Sequence, residues 1–295
     1  MAAIQVRGYS ERGMINSICY EIRYSQNGPK LLQTFLGMCT FPHSRPTFEN
    51  FNSATLLIEQ SFSDFGDLDL LMLLEGTCTQ AICLEAKVKT YDSDYWSLQK
   101  EWKTFTEAKN SDDRRSNLFT QLYRKMRLLK KVRNMDEEMA ADAIAKRWSL
   151  GKNGVVRKAA HALAKNCSEA WMVALVPDTK ANAHAFFHAT LSTPPPGLPD
   201  WEYANFGYLT WEEFEAHCRT NAAEWPETLA NFEFNRGQIF GLHEAAEPPP
   251  PRTVVTWNSP SGPLQVTIKN RHKHNTRVYL SDGTMQRVSN RDLEW

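Results

Sequence analysis

Asp69, Glu85 and Lys87 are the residues whose types and spacing suggest chemistry. Asp69 opens an apolar run, Leu70 to Leu74. Glu85 and Lys87 lie in Ala81-Ile-Cys-Leu-Glu-Ala-Lys-Val-Lys89, which alternates with period two. Ile82, Leu84, Ala86 and Val88 then share one strand face, and Glu85 and Lys87 share the other. The short connection Glu75–Gln80 predicts a hairpin between the two strands. Neighbouring strands lie about 4.8 Å apart, so Asp69 and Glu85 can chelate one ion together. Paired carboxylates suit a hard cation such as Mg²⁺. Lys87, two residues from Glu85, can hold a water or stabilise developing charge. Those are the needs of phosphodiester hydrolysis: neutralised phosphoryl oxygens and a water made nucleophilic.

The order of an acid, an apolar strand, a hairpin and Glu-x-Lys resembles the PD-(D/E)xK nuclease superfamily, the matching pieces being Asp69 and Glu85-Ala86-Lys87. The resemblance implies an α/β fold of restriction-endonuclease type, a mixed sheet flanked by helices, over about residues 7–215. It implies Mg²⁺ (or Mn²⁺) held by Asp69, Glu85 and the Ala86 carbonyl, with Lys87 placing the water. A preceding helix often supplies another acid in that superfamily. In the first helix here Met14, Ile15, Ile18 and Ile22 define an apolar stripe, and Glu11 falls near its centre at 100° per residue, with Glu21 at its edge. Glu11 is therefore preferred as the additional acid. Asn117-Leu-Phe-Thr-Gln121 looks like the Asn…Gln helix of the nuclease-related domain group, which implies a site role for Gln121. Leu118 stands where that group often has proline, and Asp67-Leu68 precedes Asp69 in place of Pro-Asp. The resemblance makes DNA the expected substrate, with RNA open. It also suggests a setting in restriction or anti-phage defence, and a homodimer or larger complex with a partner protein or activator. The alternative is a non-catalytic subunit that keeps the fold for nucleic-acid binding or scaffolding.

Several elements must position these residues. Ser10–Tyr24 reads as a helix with Ser10 as N-cap, and Lys30–Thr40 as a strand. Leu68–Leu74 and Ala81–Lys89 read as strands, and Asn117–Arg133, Glu137–Ser149 and Val155–Asn166 as helices. Ala170–Val176 and Tyr203–Leu209 read as further strands. Thr210 caps the next helix, with Glu213 three positions on as in a capping box. Four prolines at 248–251 mark a spacer. The expected organisation is a nuclease-like domain over 1–245, a linker over 246–252 and a module over 253–295. The last segment has short alternating runs and an Asp282-Gly283 turn, which suggests a small SH3-like or Tudor-like barrel.

Charge adds a nucleic-acid reading. Lys+Arg and Asp+Glu are both 34, so the net charge is zero and any such contact must come from local clusters. Arg114, Arg115, Arg124, Lys125, Arg127, Lys130, Lys131 and Arg133 form one stretch without an acid. Arg124, Lys125, Arg127 and Lys131 are expected to contact phosphates, as are Lys269, Arg271 and Lys273 in the terminal module. Trp257 could stack on a base. His184 and His188 have i,i+4 spacing but no adjoining Glu or third ligand, which argues against zinc. G-x-x-x-x-G-K and G-x-S-x-G are absent. The 6 cysteines form no C-x-x-C pair, and no long apolar run or signal-peptide core is present, so a cytosolic protein is expected.

Overall fold

The computed structural model describes residues 7–89, 96–107, 116–133, 149–192, 201–241, 254–271, 275–281 and 284–294. The chain divides into two compact units, Met1–Leu242 and His243–Trp295. The linker at 246–252, Arg114, Arg115, Lys273, the Asp282-Gly283 turn and most of the expected Glu137–Ser149 helix lie outside the described residues.

The first unit is mixed α/β. Its helices are α1 (Ser10–Tyr24), α2 (Gly28–Gly37), α3 (Leu98–Thr106), α4 (Leu118–Arg133), α5 (Gly154–Lys165), α6 (Lys180–Ala185), α7 (Trp211–Thr220) and α8 (Pro226–Phe240). Its strands are β1 (Phe51–Ser61), β2 (Asp67–Gly76), β3 (Gln80–Ala86), β4 (Glu169–Val176) and β5 (Phe206–Thr210). They form one sheet in the order β1-β2-β3-β4-β5. β1, β2 and β3 pair antiparallel, whereas β3, β4 and β5 pair parallel. The parallel step is reached by a crossover through α3, α4 and α5, as parallel neighbours require.

Strand alternation makes two cores from this sheet. Leu71, Leu73, Ala81 and Cys83 face a cluster with Leu118, Phe119, Leu122 and Met126 of α4. Leu70, Met72, Leu74, Ile82, Leu84 and Ala86 face the other, with Met14, Ile15 and Ile18 of α1 and residues of α2, α7 and α8. Full burial of each such side chain contributes about 1.5–3 kcal/mol, so a slip of one residue in β2 or β3 is strongly disfavoured. The register at Asp69 and Glu85 is therefore set by their apolar neighbours.

Two local expectations are corrected. Lys30–Thr40 is not a strand: Gly28–Gly37 is a helix with Pro29 in its first turn, and Leu31, Leu32, Phe35 and Leu36 are buried. Positions i, i+1, i+4 and i+5 make a helical stripe, and proline with fixed φ favours a helix start. Ser10 does not cap α1. Tyr9 holds the N-cap position without a side-chain bond, and Ser10 has φ +61°. The Thr210 cap does form: its Oγ1 accepts the Glu213 amide at 3.2 Å and donates to Glu213 Oε2 at 3.0 Å. β5 starts at Phe206, after a short 3₁₀ turn at Tyr203–Asn205.

The second unit is all β: β6 (Val254–Ser259), β7 (Gly262–Arg271), β8 (Asn275–Tyr279), β9 (Met285–Ser289) and β10 (Leu293–Glu294). They form one sheet in the order β10-β6-β7-β8-β9, with no closing pair between its ends among the described residues. Among the described residues this unit is thus a five-stranded antiparallel sheet. Trp257 packs with Val266, Val278, Val288 and Leu293 in the core of this unit. Its ring is buried and offers no stacking face, contrary to the expectation.

Candidate active site

The antiparallel register pairs Leu70 with Leu84. One step outward, Asp69 of β2 and Glu85 of β3 are opposite each other on the α4 side of the sheet. Asp69 Oδ2 accepts the Ala86 amide at 2.8 Å, which fastens the acid to the neighbouring strand. Glu85 has no exposed surface, whereas Asp69 and Lys87 are half-buried. Lys87 continues the ladder past β3: its amide donates to the Leu175 carbonyl at 2.9 Å, and its carbonyl accepts from Trp211 Nε1 at 2.7 Å. The structure thus brings Asp69, Glu85 and Lys87 together, and the hairpin that does so is the expected one.

Helix α4 supplies the other wall. Asn117 starts it by accepting the amides of Phe119 and Thr120 at 3.0 and 3.1 Å. Glu101 of α3 accepts the Leu118 amide at 2.7 Å, and its carbonyl accepts from Asn117 Nδ2 at 2.8 Å. This double clasp holds the helix that carries Gln121 and Lys125, one turn apart on the same stripe. Gln121 Oε1 is buried without a hydrogen-bond partner among the described residues.

Lys125 is fully buried. Its Nζ donates to the carbonyls of Phe65 at 2.9 Å and Asp67 at 2.6 Å, and lies 3.6 Å from Glu85 Oε1. Arg124 is buried as well, and Arg127 and Lys131 are half-buried. The expectation of a solvated phosphate-gripping face is corrected for Arg124 and Lys125, because α4 packs against the sheet, α3 and α5 at once. Lys269 and Arg271 lie in β7.

Electrostatics mark Glu85 as unusual. Burial, then the Asp69 charge, pushes its carboxyl well above the usual range, while the Lys125 and Lys87 ammonium groups oppose the rise. Burial pushes the Lys125 ammonium down, opposed first by Glu85. Glu101 is also raised by burial, against the Leu118 amide and the Lys87 charge.

A divalent cation fits the chemistry of these donors. Both Glu85 oxygens are buried without a hydrogen-bond partner among the described residues. Buried carboxylate oxygens in that state are costly unless something of positive charge meets them, a need the Lys125 ammonium 3.6 Å from Oε1 meets in part. Mg²⁺ binds through one or two carboxylates and keeps several waters, so Asp69 and Glu85 suffice as charged ligands. No three His, Cys, Asp or Glu side chains form a metal-holding group among the described residues.

The remaining expected residues sit elsewhere. Glu11 is half-buried in the first turn of α1, a helix whose apolar residues pack on the opposite sheet face. It makes no hydrogen bond or ion pair with Asp69 or Glu85 among the described residues, whereas its neighbour Arg12 pairs with Glu59 of β1 at 3.0 Å. Glu21 accepts the Glu227 and Thr228 amides, each at 2.7 Å, and so caps α8. His184 and His188 are joined by His43, which stacks on His188 with ring centroids 5.6 Å apart. His184 Nδ1 lies 3.2 Å from Tyr208 Oη. Glu101 is a site neighbour that the sequence does not mark, and Lys125, expected to contact phosphates, lies beside Glu85 instead. The one signal for Lys125 was its i+4 spacing from Gln121.

Comparison with protein-family profiles, with curated proteins and with solved structures returns no match. No helix of the described residues is long and apolar enough to cross a membrane.

Proposed function

We propose that the first unit is a Mg²⁺-dependent nuclease of the restriction-endonuclease-like, PD-(D/E)xK type. The observation that carries this reading is Glu85: a fully buried acid, both oxygens without a hydrogen-bond partner among the described residues, opposite Asp69 and two residues before Lys87. Asp69 and Glu85 would hold the ion, with the Ala86 carbonyl as a further ligand and a site role for Gln121, both by resemblance. Mn²⁺ is expected to substitute. When bound, the ion would neutralise phosphoryl charge and acidify a water. Lys87 orients that water and offsets charge on the phosphate as it develops. The Ala86 amide keeps Asp69 from swinging away, and the hairpin register keeps the two acids in step.

DNA is the proposed substrate. The zero net charge favours delivery of the substrate by a partner or by local contacts over global attraction. The second unit is proposed as an accessory module that reads a nucleic acid or a protein. The experiment is cleavage of supercoiled, linear and single-stranded DNA with Mg²⁺ or Mn²⁺, beside Asp69→Asn, Glu85→Ala and Lys87→Ala.

One observation favours a second reading, a non-catalytic scaffold of the same fold. Lys125 places an ammonium 3.6 Å from Glu85, a counter-ion built into the chain. Calorimetric Mn²⁺ titration separates the two: binding lost in Glu85→Ala supports the nuclease, and no binding by wild type supports the scaffold.

A further inference from the structure

We propose that Lys125 is a positioning residue that fixes the separation of Asp69 and Glu85. The proposal rests on the nuclease reading of those two carboxylates. Lys125 lies in a basic run expected from the sequence to contact phosphates, yet it has no exposed surface. An ammonium has three N–H groups. Two go to the carbonyls of Phe65 and Asp67, in the segment that leads into β2, at 2.9 and 2.6 Å. The same Nζ stands 3.6 Å from Glu85 Oε1 on β3. One side chain of α4 therefore ties the backbone two residues before Asp69 to the carboxylate opposite Asp69.

The loop is shaped around this group. Gly66 has φ +77° and ψ −179°, a conformation essentially reserved for glycine. A Cβ at Gly66 would stand 3.4 Å from Lys125 Nζ, an ordinary contact, so the strain of a side chain there comes from the backbone conformation. A buried packing role would be filled at lower cost by methionine or leucine, because a desolvated ammonium is expensive. The three oxygens gathered around Nζ explain its retention. Arginine keeps the charge but brings a planar fork that does not reproduce three oxygen contacts around one point.

The test uses the full chain and amide hydrogen exchange read by NMR. Ala86 reports on the acid pair, because its N–H donates to Asp69 Oδ2. Ile82, in the middle of the same strand, is the internal reference. Lys125→Met and Lys125→Arg should each speed exchange at Ala86 by about tenfold or more relative to Ile82. Gly66→Ala gives the same readout from the loop side if Lys125→Met does not fold. Mn²⁺ affinity of the same variants should fall by about 10- to 100-fold, as for other groups that orient metal ligands. Unchanged Ala86 protection in folded variants overturns the proposal, and so does full rescue by Lys125→Arg, which would make charge alone sufficient. Faster Ala86 exchange in variants of a wild type that binds no Mn²⁺ upholds the role of Lys125 and refutes the nuclease reading, so the two failures are distinguishable.

Discussion

Lys125 Nζ lies 3.6 Å from Glu85 Oε1, and neither side chain has any solvent-exposed surface. A buried pair of this kind is costly to break from one side, by about 3–5 kcal/mol, because the remaining charge is stranded. Removing both partners together is often neutral. Above about pH 8, where Glu85 is ionised, Glu85→Gln and Lys125→Met should therefore each lower unfolding stability by that order, and the double variant should recover most of the loss. A double-mutant cycle from denaturant unfolding measures the coupling. Simply additive losses would show that the two groups do not depend on each other.

The same burial gives a pH signature. Desolvation, then the nearby Asp69, raises the Glu85 carboxyl from 4.5 to about 8. Between those values the native chain keeps a proton that the unfolded chain has released. The stability contributed by this group is thus complete below about 4.5 and is lost as pH rises through about 8. Affinity for a divalent ion runs the other way, since the ion must displace that proton. Mn²⁺ titrations across pH should show affinity climbing toward about 8 and levelling above it, with Glu85→Gln removing the climb.

Glu21 and Glu11 divide the two things an acid on α1 can do. Glu21 accepts two amides at the start of α8. Glu21→Ala leaves those donors short of a partner and should cost about 1–3 kcal/mol, with Mn²⁺ affinity and cleavage unchanged. Urea unfolding beside a metal titration checks both halves. Glu11→Ala tests whether the half-buried acid serves the site: reduced cleavage at unchanged stability would keep it in the site, and unchanged cleavage would remove it.

What could be read from the sequence followed from what a single element reveals about itself. β2 and β3 were legible because their alternation is strong, and alternation alone puts Glu85 and Lys87 on one face and Asp69 at the strand mouth. α1 was legible from Met14, Ile15, Ile18 and Ile22. Lys30–Thr40 was misread because Leu31, Leu32, Phe35 and Leu36 form a short apolar cluster that fits either period. β1 escaped notice because most of its first half is exposed at a sheet edge, so its pattern is weak. Lys125 was misplaced for a different reason. Whether a basic helix position is solvated depends on how many neighbours the helix packs against, and α4 has neighbours on several sides. Its partners, the Phe65 and Asp67 carbonyls, carry no signature in residue type.

The division after Leu242 makes a prediction about the terminal unit. A chain ending at Leu242 should unfold cooperatively and keep the Mn²⁺ affinity of the full chain, because every proposed ligand lies in the first unit. Circular-dichroism melts and calorimetry check this. A fall in DNA affinity with a shallower salt dependence would assign phosphate contacts to the terminal unit, Lys269 and Arg271 among the candidates. Unchanged DNA affinity would assign it a protein partner.

The most direct measurement is cleavage of supercoiled DNA by the purified full chain with Mg²⁺ or Mn²⁺, beside Glu85→Ala and Lys87→Ala and a chelated control. Metal-dependent cutting by wild type that disappears in both variants is the predicted result. Cutting that survives in Glu85→Ala, or a wild type that neither cuts nor binds Mn²⁺, would contradict the account of Asp69, Glu85 and Lys87 as a nuclease centre.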